Sequence, residues 1–215
     1  MKTLLYVDAH PLTAAESKTL QVADAFVAAW QTANPTGHIE TLKLSEANIP
    51  TLDKDVFGTW LKQKKIGLGA PLAMSADENA LLSQFNTLID QFVNADVVVF
   101  ANPMWNHFLP AILKQYLDDV LQAGVAFKYT AHGPVGLLSD KQIIHIQSAG
   151  GVYDHTSMRA DFGDAYLQAM VEFIGLSIDD EYHTIFIEGA DSNPAQRDAI
   201  ITAAKTEAQN LAVTL

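Results

Sequence analysis

The run Asp96-Val97-Val98-Val99-Phe100-Ala101, followed at once by Asn102-Pro103-Met104-Trp105-Asn106-His107, decides the fold. An unbroken apolar stretch of this length is a strand buried on both faces, the kind found in parallel sheets covered by helices on each side. Polar and aromatic residues then crowd the strand's carboxyl end, where open α/β sheets place their ligands. Upstream, Ser75-Ala76-Asp77-Glu78 carries the signature of a helix start, with Ser75 as N-cap and Glu78 closing a capping box, and the helix runs to about Asn94. Downstream, a second helix follows the loop to about Gly124.

The same alternation extends in both directions. Thr3 to Val7 reads as a first strand, and Leu20, Ala23, Phe26, Val27 and Trp30 recur at helical spacing within residues 16–33. Asn34-Pro35-Thr36-Gly37 stops that helix, and 38–44 reads as a second strand. Residues 45–75 hold Pro50, Gly58, Gly67, Gly69 and Pro71 and are expected to be irregular, of the kind that serves as a functional or interface segment. Phe127 to Thr130 with the turn at Gly133-Pro134 suggests a small hairpin. A strand over 141–147, a helix over 158–174, a strand over 178–187 and a helix over 194–211 complete the chain. Five strands joined by crossover helices predict a three-layer α/β/α domain, 1–215, around an open five-stranded parallel sheet.

Composition narrows the function. With 25 acidic against 13 basic residues and a net charge of -12, the chain lacks the basic stripe that phosphate-tracking nucleic-acid binders need. The lysines at 62, 64 and 65 read as a solvated helix end. No apolar run approaches the roughly 20 residues needed to cross a bilayer, so no membrane partner is expected. The first residues read as a strand rather than an export signal, so the cytoplasm is the expected location. There is no cysteine, which excludes disulfides and thiol nucleophiles. The seven histidines are scattered, without zinc spacing, so no metal site is expected.

Three loops fall at strand carboxyl ends. In the first, Ser17-Lys18-Thr19 opens a helix, so hydroxyls and free backbone N–H groups face one space; it is either a plain N-cap or an anion site. Neither the G-x-G-x-x-G nor the G-x-x-x-x-G-K-[ST] signature is present, which argues against dinucleotide and ATP sites. In the second, Pro103-Met104-Trp105-Asn106-His107 offers apolar and aromatic surface that a flat ring would cover, unless Trp105 folds back into the core. In the third, Ser148-Ala149-Gly150-Gly151 lets backbone approach a ligand closely, or is a simple tight turn.

Taken together, these residues resemble the FMN-dependent NADH-azoreductases, a branch of the flavodoxin-like NAD(P)H:quinone oxidoreductases. The likeness runs over nearly the whole chain. It rests on Ala9-His10-Pro11-Leu12-Thr13, Ser17-Lys18-Thr19, Asn102 to Asn106, Phe127 to Thr130, Gln147 to Gly151 and Phe186-Ile187-Glu188-Gly189. The resemblance implies a flavodoxin-like fold and FMN as cofactor. Two electrons would pass from NADH or NADPH to quinones or azo compounds in a ping-pong scheme, with no side chain as nucleophile. It implies that Ser17, Lys18 and Thr19, with His10 beside them, hold the FMN phosphate. Pro103, Met104, Trp105, Asn106 and His107 would lie along the ring, and Ser148, Ala149, Gly150 and Gly151 at its pyrimidine end. Asn106, Tyr129 and Phe173 would face the acceptor, in a homodimer with two sites at the interface. His107 and Ala149 depart from the pattern, since some relatives carry Phe and Arg there. The rival reading is a flavodoxin-type electron carrier without a substrate of its own.

Overall fold

The computed structural model describes residues 1–153 and 161–215. Strand β1 (Thr3–Asp8) leads into helix α1 (Lys18–Ala33), then β2 (His38–Lys43), helices α2 (Lys54–Gly67) and α3 (Ala76–Asn94), and β3 (Val97–Pro103). Helix α4 (Ala111–Val120), the hairpin β4 (Phe127–Thr130) and β5 (Gly133–Gly136), and β6 (Gln142–Ser148) follow. The chain closes with α5 (Phe162–Phe173), α6 (Ile178–Glu181), β7 (Tyr182–Ile187), a 3₁₀ turn (Pro194–Gln196) and α7 (Arg197–Ala212).

The large sheet has the order β2-β1-β3-β6-β7, and every neighbouring pair is parallel. Chain order reverses between β1 and β3, so the carboxyl ends of those two strands flank a crevice. β3 is buried along its whole length, as its apolar run requires. One face of the sheet packs Phe26 and Trp30 of α1 and Ile201 and Ala208 of α7. The other packs Phe92 of α3, Leu113 and Leu117 of α4, and Leu167 and Val171 of α5. The Ser75–Glu78 capping box is present in both directions.

Two segments differ from the sequence reading. Within 45–75, residues 54–67 are helical: the Asp53 carboxylate accepts the N–H groups of Asp55 and Val56, and Lys64 and Lys65 occupy the last turn. This gives helix-dipole complement at both ends, and Gly58, which suggested irregularity, sits on an exposed face. Residues 178–181 form a helical turn, not the start of a strand, because Ser177 caps it and three acidic residues fill its first turn. The expected start of α5 at Met158 lies outside the described residues; from Asp161 onward its N-cap is clear, accepting from Gly163 and Asp164.

Candidate active site

The three loops meet around one cleft of about 220 Å³ at the carboxyl ends of β1, β3 and β6. It is lined by His10, Glu16, Ser17, Lys18, Pro103, Met104, Trp105, Ser148, Ala149, Gly150 and Asp191. Nine of these were expected from sequence. Asn106, His107 and Gly151 continue the loops just outside the lining, and Thr19 lies buried behind it.

The first loop presents backbone. Ser17 is the N-cap of α1, its hydroxyl accepting from Leu20 N–H at 3.3 Å. The amides of Lys18 and Thr19 lie in the first turn, where the helix offers no acceptor. His10 accepts Leu12 N–H through Nδ1 at 3.1 Å, which leaves Nε2 as its donor. Burial pushes the His10 imidazole down from its ordinary value, against the pull of Glu16. Lys18 reaches the cleft with its ammonium paired to Asp191 at 2.5 Å, and Arg197 holds the other oxygen of Asp191 at 3.1 Å. Asp191 and Glu16 were not foreseen. Asp191 follows β7 at its carboxyl end, so the rule that identified the other loops applies to it as well.

The second loop is a two-residue hairpin turn. Trp105 and Phe108 exchange both backbone hydrogen bonds, each at 3.0 Å. Asn106 and His107 between them have φ of 52° and 62°, the left-handed pair that such a turn demands. Left-handed backbone at non-glycine residues costs energy and concentrates at ligand sites. Trp105 does not fold into the core; its side chain is 47% exposed at the cleft.

The third loop ties the other two together. Ser148 accepts the Thr19 hydroxyl on its Oγ at 2.7 Å and the Met104 amide on its carbonyl at 2.8 Å. Behind it, the Gly189 and Ser192 amides donate to the carbonyls of Gly151 and Gly150. A Cβ placed on Gly150 would meet only Asp191 Oδ2, at 3.7 Å. The protein's own packing therefore does not require glycine there; a side chain would instead take up space beside the cleft.

A helix start with amides that the helix leaves unpaired, an imidazole donor, a lysine, a half-buried thioether and an exposed indole now share one crevice. The matching family model, described as flavodoxin-like fold, covers residues 2–212.

The chain belongs to that family.

Similar proteins give the likeness its detail. The chain is 44% identical over 214 residues to the FMN-dependent NADH:quinone oxidoreductase 2 of Lactiplantibacillus plantarum, covering 99% of each chain. It superposes on the azoreductase of Bacillus anthracis with a TM-score of 0.88 at 30% identity, over the full length of both. An FMN-dependent NADH-azoreductase of the same organism, solved in complex with FMN, matches with a TM-score of 0.86 at 26% identity, over 99% of this chain and 100% of that one.

The residues expected to face the acceptor are split. Asn106 stands at the mouth of the cleft. Tyr129 and Phe173 are brought together elsewhere: Phe127 contacts both, with ring centroids 5.5 and 4.4 Å away. They do not line the cleft of their own chain. Tyr129 is 74% exposed. Glycine fixes the arrangement, because a Cβ on Gly136 would overlap the backbone of Gly175 at the end of α5. Among the described residues no cluster of His, Asp and Glu has the makings of a metal site, and no helix is long and apolar enough to cross a membrane.

Proposed function

We propose that this chain is an FMN-dependent oxidoreductase that takes electrons from NADH or NADPH and passes them, two at a time, to quinones and azo compounds. The observation that carries the reading is the cleft itself: a capped helix start with the Lys18 and Thr19 amides on one wall, and half-buried Met104 with exposed Trp105 on the other. The first wall suits a terminal phosphate, where backbone N–H groups and the helix dipole favour negative charge even on an acidic protein. The second suits a flat ring. A single phosphate-sized cradle fits FMN rather than FAD.

In this reading Lys18 and Thr19 hold the phosphate through their amides and Ser17 through its hydroxyl hydrogen, with His10 donating from Nε2. Pro103 to His107 lie along the ring, and Ser148 to Gly151 meet its polar edge. FMN supplies hydride chemistry when bound, so the protein's part is binding, orientation and exclusion of water. Nicotinamide and acceptor use the same slot over Trp105 and Asn106 and therefore bind in turn, which gives ping-pong kinetics. Asn106, next to Trp105 in the turn, would orient a carbonyl or azo nitrogen.

The slot also needs a wall that the described residues of one chain do not supply. The cleft is smaller than the roughly 300–1,000 Å³ of pockets that bury a ligand of this size. Meanwhile Phe57, Leu61, Leu68 and Tyr129 are exposed on α2, just beyond it and on the hairpin. A homodimer in the cytoplasm, with α2 and the Tyr129–Phe173 group closing the partner's slot, accounts for both. Trp60, beside these exposed residues, packs edge-on against Phe85 at 5.0 Å inside its own chain.

Two measurements test this. NADH added to the purified, flavin-loaded protein should bleach its visible absorption without a partner reductase. An unbleached protein would instead be the electron carrier. Phe57→Asp combined with Leu61→Asp should shift sedimentation from dimer to monomer and remove turnover; a fully active monomer would defeat the dimeric slot.

A further inference from the structure

Beneath the second loop lies a polar network that the proposed chemistry does not use directly. His145 is fully buried in β6. Its Nδ1 lies 2.8 Å from Asp164 Oδ1, and its Nε2 lies 3.1 Å from Asn102 Oδ1. Asp164 Oδ1 also accepts the Tyr182 hydroxyl at 2.6 Å and the Thr184 hydroxyl at 2.8 Å, while Oδ2 accepts Gln168 Nε2 at 2.7 Å. On the other side, Asn102 Nδ2 donates to the Pro103 carbonyl at 3.1 Å and to Gln147 Oε1 at 3.2 Å. Gln147 Nε2 in turn donates to Asp161 Oδ2 at 2.6 Å.

The direction of this chain is fixed by its ends. The Asp161 carboxylate can only accept, so Gln147 turns its NH₂ outward and its oxygen toward Asn102. Asn102 must then offer its NH₂ to Gln147 and Pro103, which leaves its oxygen facing His145 Nε2. Asp164 is a second acceptor, on Nδ1. The Tyr182 hydroxyl lies 3.1 Å from the same Nδ1; since it donates to Asp164, its oxygen is free to accept from the ring. Every described group that faces a ring nitrogen of His145 is thus an acceptor. A neutral ring would set a lone pair against a carboxylate or an amide oxygen. Flipping Asn102 moves the conflict to Gln147, and flipping Gln147 moves it to Asp161. Each conflict leaves buried polar atoms unsatisfied, which folded proteins avoid.

We propose that His145 is held as an imidazolium and acts as a positioning residue, fixing the Pro103–His107 turn through Asn102. The turn is attached at two points. Asn102 holds the Pro103 carbonyl, and the Phe162 amide, next to the Asp161 N-cap, donates to the His107 carbonyl at 3.0 Å. Asp161 accepts from the relay at Gln147 and starts α5, so both attachments depend on the same network. The strained pair Asn106–His107 is in this way held from below before any ligand arrives, which is how a binding wall is preorganised.

The charge state is tested on the unaltered protein without ligand. In long-range ¹H–¹⁵N spectra of ¹⁵N-histidine-labelled protein at pH 7.5, both ring nitrogens of His145 should have protonated-type shifts. A ring with one lone-pair nitrogen overturns the proposal. The positioning role rests on the FMN reading above and is tested by FMN titration. His145→Gln should raise the FMN dissociation constant about tenfold, equivalent to about one hydrogen bond lost. Phe26→Leu, a core change on the opposite face of the sheet, should keep wild-type affinity. Equal affinity in His145→Gln, or equal weakening in both variants, overturns positioning. If His145→Gln does not fold, Asn102→Ser gives the same comparison, since it cuts the link to Pro103 and keeps the ring. Failure of the wild-type protein to take up FMN would count against the flavin reading alone, and the nitrogen shifts would still decide the charge.

Discussion

Two aspartates are buried on the same face of the sheet, one in α5 and one in α4, and their surroundings are opposite. Asp164 accepts from His145, Gln168, Tyr182 and Thr184. Asp119 is fully buried, and neither of its carboxyl oxygens has a hydrogen-bond partner among the described residues. The contrast extends to protonation. Burial alone would raise the carboxyl of Asp164, but the hydrogen bond and charge of His145, with the two hydroxyls, hold it well below the ordinary carboxylate range. Burial lifts Asp119 to about 7, with the neighbouring Asp118 adding to the shift. Burying a carboxylate is therefore not one kind of event. Where donors converge, the charge is retained and organises its neighbours; where they do not, the group keeps its proton and weakens the fold.

The largest expected effect comes from removing the paired acid. Asp164→Ala leaves the His145 charge buried without its counter-ion and should cost about 3–5 kcal/mol in chemical denaturation. A loss under 1 kcal/mol would mean that the network is not the organised charge pair described here. In the unaltered protein, Asp164 contributes stability above the ordinary carboxyl pKa. That contribution is lost as pH falls through and below this range.

Asp119 has the opposite sign. Its folded pKa lies above the value in the unfolded chain, so folding retains a proton. Stability then falls as pH rises from about 4 toward 7. Asp119→Leu should therefore stabilise the protein by about 1–3 kcal/mol at pH 7.5 and by much less at pH 4.5. Denaturation curves at the two pH values decide this, and a gain independent of pH would contradict the titration.

The smallest effect belongs to the exposed charges at the cleft. Asp191 holds Lys18 at its rim and is itself half exposed. Asp191→Asn should free the ammonium and tighten FMN binding about two- to fivefold in low salt, an increment typical of exposed pairs. The gain should disappear near 1 M salt, where screening is nearly complete. A gain that persists there would place Asp191 among buried groups such as Asp164.

Legibility in the sequence followed the range of the interactions. The capping box at Ser75 and Glu78, the buried run at Val97 to Ala101 and the hairpin at Phe127 to Gly136 depend on near neighbours and were readable. Helix α2 was missed because Gly58 and the glycines after it weigh against a helix. Its positive signal, Asp53 followed by an apolar stripe of Val56 and Trp60, was local but outvoted. The cleft loops were found by their position after strands, and the resemblance assigned their roles. The left-handed pair Asn106–His107 could not be read, since neither residue is glycine and the turn closes only through Trp105 and Phe108.

By itself, the sequence determined that this is a parallel α/β sheet whose candidate ligand loops follow β1, β3 and β6, because hydrophobic period and turn chemistry are properties of short stretches. Only the tertiary structure decided which polar residues within those stretches are charged, paired or idle. His145 and Asp164 are 19 residues apart, and His145 and Asn102 are 43 apart. Asp119 sits beside Asp118, which pairs with Lys114 at 2.6 Å, while the Asp119 carboxyl has no hydrogen-bond partner among the described residues. Adjacent identical residues on a helix point about 100° apart, and only the packing around them sets one in water and the other in the core.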